Sequence, residues 1–260
     1  MLKHRGLKDK KILLVEDVEL NQYLAKHIME SWGCLVDVAD NGKKAVEKIS
    51  AADYDLVLMD IQMPEMDGMQ ATKIIRAMHD EAKAQVPIVA LTANALKTEC
   101  EVYLNIGMND CLAKPFEERT LMGIVAKNMK GHHVDVVPDG HTVVTPAGEK
   151  LYDLAMVEAI SGGDKTFIVK MMELFLQTVP QTLSDLKECC EKGDWVMTGK
   201  HAHKLKSTID SMGIVSLKRD IRTIESGGKS ASDPVQLTAL VQKVLDVMDE
   251  VIGQVSNDFR

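Results

Sequence analysis

The chain has 260 residues, enough for two domains that each bury a core, and its 45% hydrophobic and 27% charged content is that of folded globular chains. A net charge of −8 without a Lys/Arg cluster argues against nucleic acid as a partner. No apolar run reaches the roughly 18 residues of a membrane span, and the start Met1-Leu2-Lys3-His4-Arg5-Gly6 lacks a signal-peptide stretch, so a cytoplasmic protein without direct membrane contact is expected.

Residues 11 to 129 alternate between two hydrophobic periods. Short apolar runs occupy 11–15, 34–38, 55–59, 87–91 and 110–113, and three of them are nearly continuous in Leu, Ile and Val, as in parallel strands covered on both faces. Between them, 21–31, 43–50, 69–78, 96–106 and 117–129 carry apolar residues at helical spacing. Five strands and five helices in alternation predict a doubly wound α/β domain over residues 9–130. Residues 131–150, with Pro138, several glycines and His132, His133 and His141, show no helical period and read as a linker. From 151 to 260 strand signals vanish. Helices are predicted at 154–160, 164–191 (with a kink or break at Pro180), 194–212 (capped by Asp194), 214–225 (closed by Gly227-Gly228) and 235–255 (entered through Asp233-Pro234), giving an all-α four-helix bundle. The five cysteines show no CxxC spacing, which suits reduced thiols.

Polar residues recur where the strands of the first domain end. Glu16 and Asp17 follow the first, Asp60 ends the third, Thr92 the fourth, and Lys114 follows the fifth. Parallel strands bring all of these to one edge, where ligands bind in open α/β sheets. Clustered carboxylates repel unless a cation joins them, and oxygen donors suit Mg²⁺. Asp60 is placed to act as nucleophile toward a phosphoryl group, with Lys114 and the Thr92 hydroxyl to stabilise it.

On the second predicted helix of the bundle, Ala202, Leu205, Ile209 and Met212 form the core stripe. His203 lies off it, among Gly199, Lys206, Ser207 and Asp210. Small Gly199 and Ser207 are expected to leave the imidazole accessible, and Lys206 to reach a phosphoryl group on it. His201 sits about 160° around the helix from His203 and lacks such neighbours. Ser226-Gly227-Gly228-Lys229-Ser230 lacks the first glycine and the preceding strand of a phosphate-binding loop. It is expected to be an interhelical turn, and no ATP-binding segment is found.

Residues 9–130 resemble the receiver domain of two-component response regulators. The resemblance implies a flavodoxin-like five-stranded parallel sheet in the order 2-1-3-4-5. It makes Asp60 the phosphoacceptor, Thr92 the switch hydroxyl and Lys114 the lysine before a cis Lys114-Pro115 bond. Mg²⁺ would be held by Glu16, Asp17, Asp60 and the backbone carbonyl of Gln62, with Gln62 and Asn94 tuning rates. The segment departs from the pattern at Cys111, where the family carries Tyr or Phe, and Tyr103 is not expected to replace that aromatic. Residues 151–260 resemble a histidine phosphotransfer (HPt) domain through Ala202-His203-Lys204-Leu205-Lys206, with Ser207 where the family often has Gly. Together the resemblances imply a phosphorelay intermediate, as at the carboxyl end of hybrid sensor kinases. Its partners would be a sensor histidine kinase upstream and the receiver domain of another response regulator. The alternative is a regulatory binding module in which phosphorylation of Asp60 controls access to the HPt surface.

Overall fold

The computed structural model describes residues 6–92, 97–129, 150–230 and 233–259, in two units on either side of residue 141. The expected linker, apart from Lys150, and its histidines His132, His133 and His141 lie outside the described residues, as does Asn94.

In the first unit, strands β1 (Lys11–Val15), β2 (Leu35–Ala39), β3 (Leu56–Asp60), β4 (Ile88–Thr92) and β5 (Asp110–Ala113) form one parallel sheet in the order β2-β1-β3-β4-β5. β3 and β4 are buried along their whole length, as is β1 beyond Lys11, so these are the strands with continuous apolar runs. Edge strand β2 alternates instead, and Leu35 is exposed. Helices α1 (Glu19–Ser31), α2 (Gly42–Ala51), α3 (Gly68–Arg76), α4 (Glu81–Ala84), α5 (Lys97–Asn105) and α6 (Glu118–Asn128) connect them. The sequence reading did not anticipate α4; it is a single turn capped by the Asp80 carboxylate, which accepts from Ala82 N and Lys83 N. On one face of the sheet, Ala45 and Ile49 of α2 and Ala71 and Ile75 of α3 share a core with Val57 and Met59. Each such large aliphatic side chain contributes about 1.5–3 kcal/mol through burial. Because the strands are parallel and their order reverses between β1 and β3, the carboxyl ends of all five gather at one edge.

The expectation of reduced thiols throughout is corrected. Cys100 of α5 and Cys111 of β5 form a disulfide with Cα atoms 5.9 Å apart, while Cys34, Cys189 and Cys190 are free. Eleven residues separate the bonded pair and no motif announces them; the packing of a helix on its following strand brings them together.

The second unit contains α7 (Ala155–Ser161), α8 (Lys165–Glu191), α9 (Trp195–Ser211), a 3₁₀ turn at Val215–Leu217, α10 (Lys218–Ser230) and α11 (Pro234–Asp258). α9 packs on α8 and α10, and α11 packs on the same two, closing a four-helix ring. Asp164, Asp194 and Asp233 cap α8, α9 and α11 with their carboxylates. Two expectations are corrected here. α8 runs unbroken through Pro180, which sits on the exposed face, so the missing N–H does not interrupt the core-facing side. α10 continues past Gly227-Gly228 instead of turning there. A Cβ on Gly228 would lie 2.5 Å from the Trp195 carbonyl oxygen and 2.7 Å from Gly199 Cα. Gly228 therefore serves an interhelical contact with Gly199, backbone against backbone, and does not end the helix.

Candidate functional site

At the sheet edge, the ends of β1, β3, β4 and β5 deliver the expected side chains. Glu16 and Asp60 are buried, and the Lys114 side chain is 8% exposed. Lys114 Nζ donates to Asp60 Oδ2 at 2.7 Å and to Glu16 Oε2 at 2.9 Å. Glu16 Oε1 accepts from Val18 N and Asn21 Nδ2, which fixes the first loop. Glu16, Asp17 and Asp60 bring carboxylate oxygens within 4.8 Å of one another. Against these three carboxylates Lys114 supplies one positive charge. Burial pushes the Asp60 carboxyl up to about 7; Lys114 opposes the shift, and Glu16 and Asp17 add to it. Lys114 itself is raised, because Asp60 and Glu16 outweigh the effect of its burial. The Lys114-Pro115 bond is cis, as expected.

The loop after Asp60 is fitted closely to its strand. Gln62 N lies 3.4 Å from Asp60 Oδ1, and Asp67 caps α3 by accepting from Gln70 N at 2.7 Å. A Cβ on Gly68 would fall 2.1 Å from the Asp60 carbonyl oxygen, so only glycine fits where α3 begins. Gly68 escaped the sequence reading, although a glycine just before a predicted helix, eight residues after Asp60, was visible.

Thr92 ends β4 at the same edge and is buried. The Tyr103 hydroxyl lies 3.5 Å from Thr92 Oγ1, and Tyr103 is buried. Tyr103, which was not expected to replace the family's aromatic, thus lies beside Thr92. One turn along α5 from the disulfide, it brings an aromatic hydroxyl to Thr92, while Cys111 stands on β5.

In the helical unit His203 is nearly buried, at 8% exposed, which corrects the expected accessible ring. The reason is the glycine crossing. Gly199 and Gly228 let α10 approach α9 so closely that it covers the face around His203. Across that crossing Glu225 Oε1 is 2.8 Å from His203 Nδ1, and Glu225 Oε2 accepts from Lys206 Nζ. Arg222 binds Asp210 at 2.7 Å and clamps the two helices one turn further along. Burial alone would raise the Glu225 carboxyl, but hydrogen bonds from His203 and Lys206 outweigh it and hold it down at about 2. An ionised carboxylate only accepts, so Nδ1 carries the proton and, in the neutral ring, the lone pair lies on Nε2. His201 lies on another side of α9, where burial lowers its imidazole below the usual range. Glu225 was absent from the sequence-predicted site. Its signal was a charge at the buried stripe position of Ile221, Ile224 and Gly228, obscured by ending the helix at that residue.

Residues 12–126 match the response regulator receiver domain, and residues 170–255 match the Hpt domain. The chain is 34% identical over 221 residues to the aerobic respiration control sensor protein ArcB of Escherichia coli (strain K12), covering 83% of this chain and 27% of that protein. It is 29% identical over 253 residues to the sensor histidine kinase GacS of Pseudomonas protegens, covering 96% and 27%. The receiver domain of sensor histidine kinase PA1611 from Pseudomonas aeruginosa PAO1, solved with a magnesium ion coordinated in the active site cleft, is 42% identical. It covers 46% of this chain and 96% of that one, with a TM-score of 0.43. The chain thus spans 27% of the length of the curated relatives it matches. Among the described residues, no helix is long and apolar enough to cross a membrane.

Proposed function

For a chain that carries a response regulator receiver domain followed by an Hpt domain, we propose a phosphorelay role in which Asp60 and His203 are the two phosphoryl acceptors. Asp60 receives the group from a sensor histidine kinase; His203 exchanges it with Asp60 and with a receiver aspartate of another response regulator. The observation that carries this reading is the likeness of the two centres. Each is a nearly buried nucleophile set beside a lysine and a carboxylate: Asp60 with Lys114 and Glu16, His203 with Lys206 and Glu225.

At the receiver centre, an Asp60 carboxylate oxygen attacks phosphorus in line as the P–N bond to the kinase's phosphohistidine breaks and the donor imidazole leaves. The Lys114 ammonium neutralises charge on the incoming oxygens, and the Thr92 hydroxyl donates to one of them. The three carboxylates, with the carbonyl of Gln62, suit Mg²⁺, and their surplus of negative charge over Lys114 is what a hard cation would offset. When bound, the ion would supply positive charge that offsets the charge developing on the phosphoryl group. At the second centre, His203 Nε2 is the nucleophile. Glu225 holds the ring and stabilises the positive charge that develops on it, and Lys206 balances Glu225. This chemistry needs no ATP site on the chain.

The test is to incubate the protein with acetyl phosphate and Mg²⁺ and map the modified residues. Phosphate is expected on Asp60 first and then on His203. With His203→Gln, label should stay on Asp60 and onward transfer to a receiver should stop. Transfer that survives His203→Gln would sink the relay, and label reaching His203 in Asp60→Asn would reverse the order. A protein labelled on Asp60 but never on His203 would be the regulatory binding module, and one labelled at neither residue would overturn both readings.

A further inference from the structure

We propose that Cys100 and Cys111 are a reversible thiol–disulfide site, open to low-molecular-weight disulfides and thiols, that latches α5 onto β5 and so holds Tyr103 against Thr92. The first support is how thinly α5 is otherwise attached. Tyr103 is its single buried residue, whereas α1 buries five, and Val102 and Leu104 of α5 are 52% and 46% exposed. The covalent link therefore carries attachment that side-chain packing carries elsewhere in the unit.

The second support is what the link joins. Cys111 lies opposite Ala90 of β4 and three residues before Lys114, which binds Asp60. Cys100 lies one helical turn before Tyr103, whose hydroxyl meets Thr92. The bond thus ties the strand leading to the phosphoacceptor's lysine to the helix that contacts its switch hydroxyl. Both cysteines are half-buried and within reach of small thiols, whereas Cys34 is buried, with its thiol pushed up to about 11 by burial and by Asp55.

The chemistry is thiol–disulfide exchange. One cysteine loses its proton and attacks oxidised glutathione, forming a mixed disulfide and releasing one glutathione thiolate. The other cysteine, also deprotonated, displaces the second glutathione thiolate as the Cys100–Cys111 bond forms. Two electrons pass to the glutathione disulfide, and the two released protons accompany the two glutathione thiolates. Reduction runs the same steps backwards.

Coupling to the phosphoacceptor rests on the function proposed above, whereas the latch itself is tested without phosphate. The full chain is poised with oxidised glutathione or with dithiothreitol, its thiols counted by alkylation, and exchange of the amides of 97–105 followed by mass spectrometry. The expected result is five reactive thiols after reduction and three after oxidation under denaturing alkylation, with α5 amides exchanging about tenfold faster when reduced. Cys100→Ser/Cys111→Ser should exchange like the reduced chain under both conditions. Five thiols under oxidising conditions, or equal α5 exchange in the two forms, would overturn the latch. Asp60 labelling by acetyl phosphate and Mg²⁺ is then compared. A severalfold difference between the forms supports control of Thr92, and equal rates overturn that control. No Asp60 label in either form, with α5 exchange still different, overturns the phosphoacceptor reading and leaves the latch supported.

Discussion

The receiver and Hpt units each set a buried carboxyl group beside a lysine, yet these carboxyl groups shift in opposite directions. Asp60 is pushed up to about 7, whereas Glu225 is held at about 2. The difference lies in the surrounding charge. In the receiver, three carboxylates crowd one lysine, so ionised Asp60 is destabilised until a cation relieves it. In the Hpt unit, one carboxylate faces one lysine and a ring N–H, and the charges balance. A strained anion suits a group that must react; a satisfied one suits a group that must hold another in place.

The sharpest way to break this comparison is Asp60→Asn. It should abolish receiver phosphorylation and, without divalent cation, raise the receiver unit's melting temperature by several degrees, because a raised pKa marks an ionised form that costs stability above the ordinary carboxylate range. A receiver unit that loses stability would show that the cluster is not strained. Next in size is Gly228→Ala, whose Cβ would meet backbone atoms. It should cost the Hpt unit about 1–3 kcal/mol and slow transfer through His203 by about tenfold or more, read by urea unfolding and by label transfer. Mg²⁺ should stabilise only one centre: at ten times its dissociation constant it should add about 1.4 kcal/mol to the receiver transition and leave the Hpt transition unmoved, measured by calorimetry with and without chelator.

Smaller still is Glu225→Gln, which keeps an acceptor for Nδ1–H and loses the charge. It should slow His203 phosphorylation roughly threefold to tenfold while leaving the helices intact, checked by rapid-quench labelling and circular dichroism. The smallest effect is in pH. Glu225 falls from an ordinary 4.5 to about 2 in the folded protein. A depressed carboxylate contributes stability that is complete above 4.5 and is lost as pH falls toward 2. The gap in unfolding midpoint between the native chain and Glu225→Gln should therefore close across that window, and a gap unchanged at pH 2 would remove the ion-pair explanation.

Legibility divided along the same line. Asp60, Thr92, Lys114 and Glu16-Asp17 were readable because each sits at the end of its own apolar run, and parallel topology converts those ends into one place. The four-helix ring was readable from periodicity, from the cap at Asp194 and from the Asp233-Pro234 entry. His203 was found by its helical face, but its covering was not, because burial there depends on how closely a second helix approaches. Gly227-Gly228 looked like a stop by local propensity, and ending the helix there hid Glu225. Tyr103 and the Cys100–Cys111 pair were illegible for a related reason: a helix rotation, invisible in spacing, aims them at β4 and β5.

The contact of Gly199 with Gly228 works as a gauge block between α9 and α10. Where side chains meet, a substitution is absorbed by rotamer changes and the spacing drifts. Where backbones meet, no side-chain adjustment can take up the error, and the gap from His203 to Glu225 inherits the rigidity of main-chain geometry. Exposed Val196 and Lys200 stand on the same helix and lie outside that contact. The outer surface of α9 can therefore be rewritten while the machining of the His203–Glu225 pair stays within tolerance.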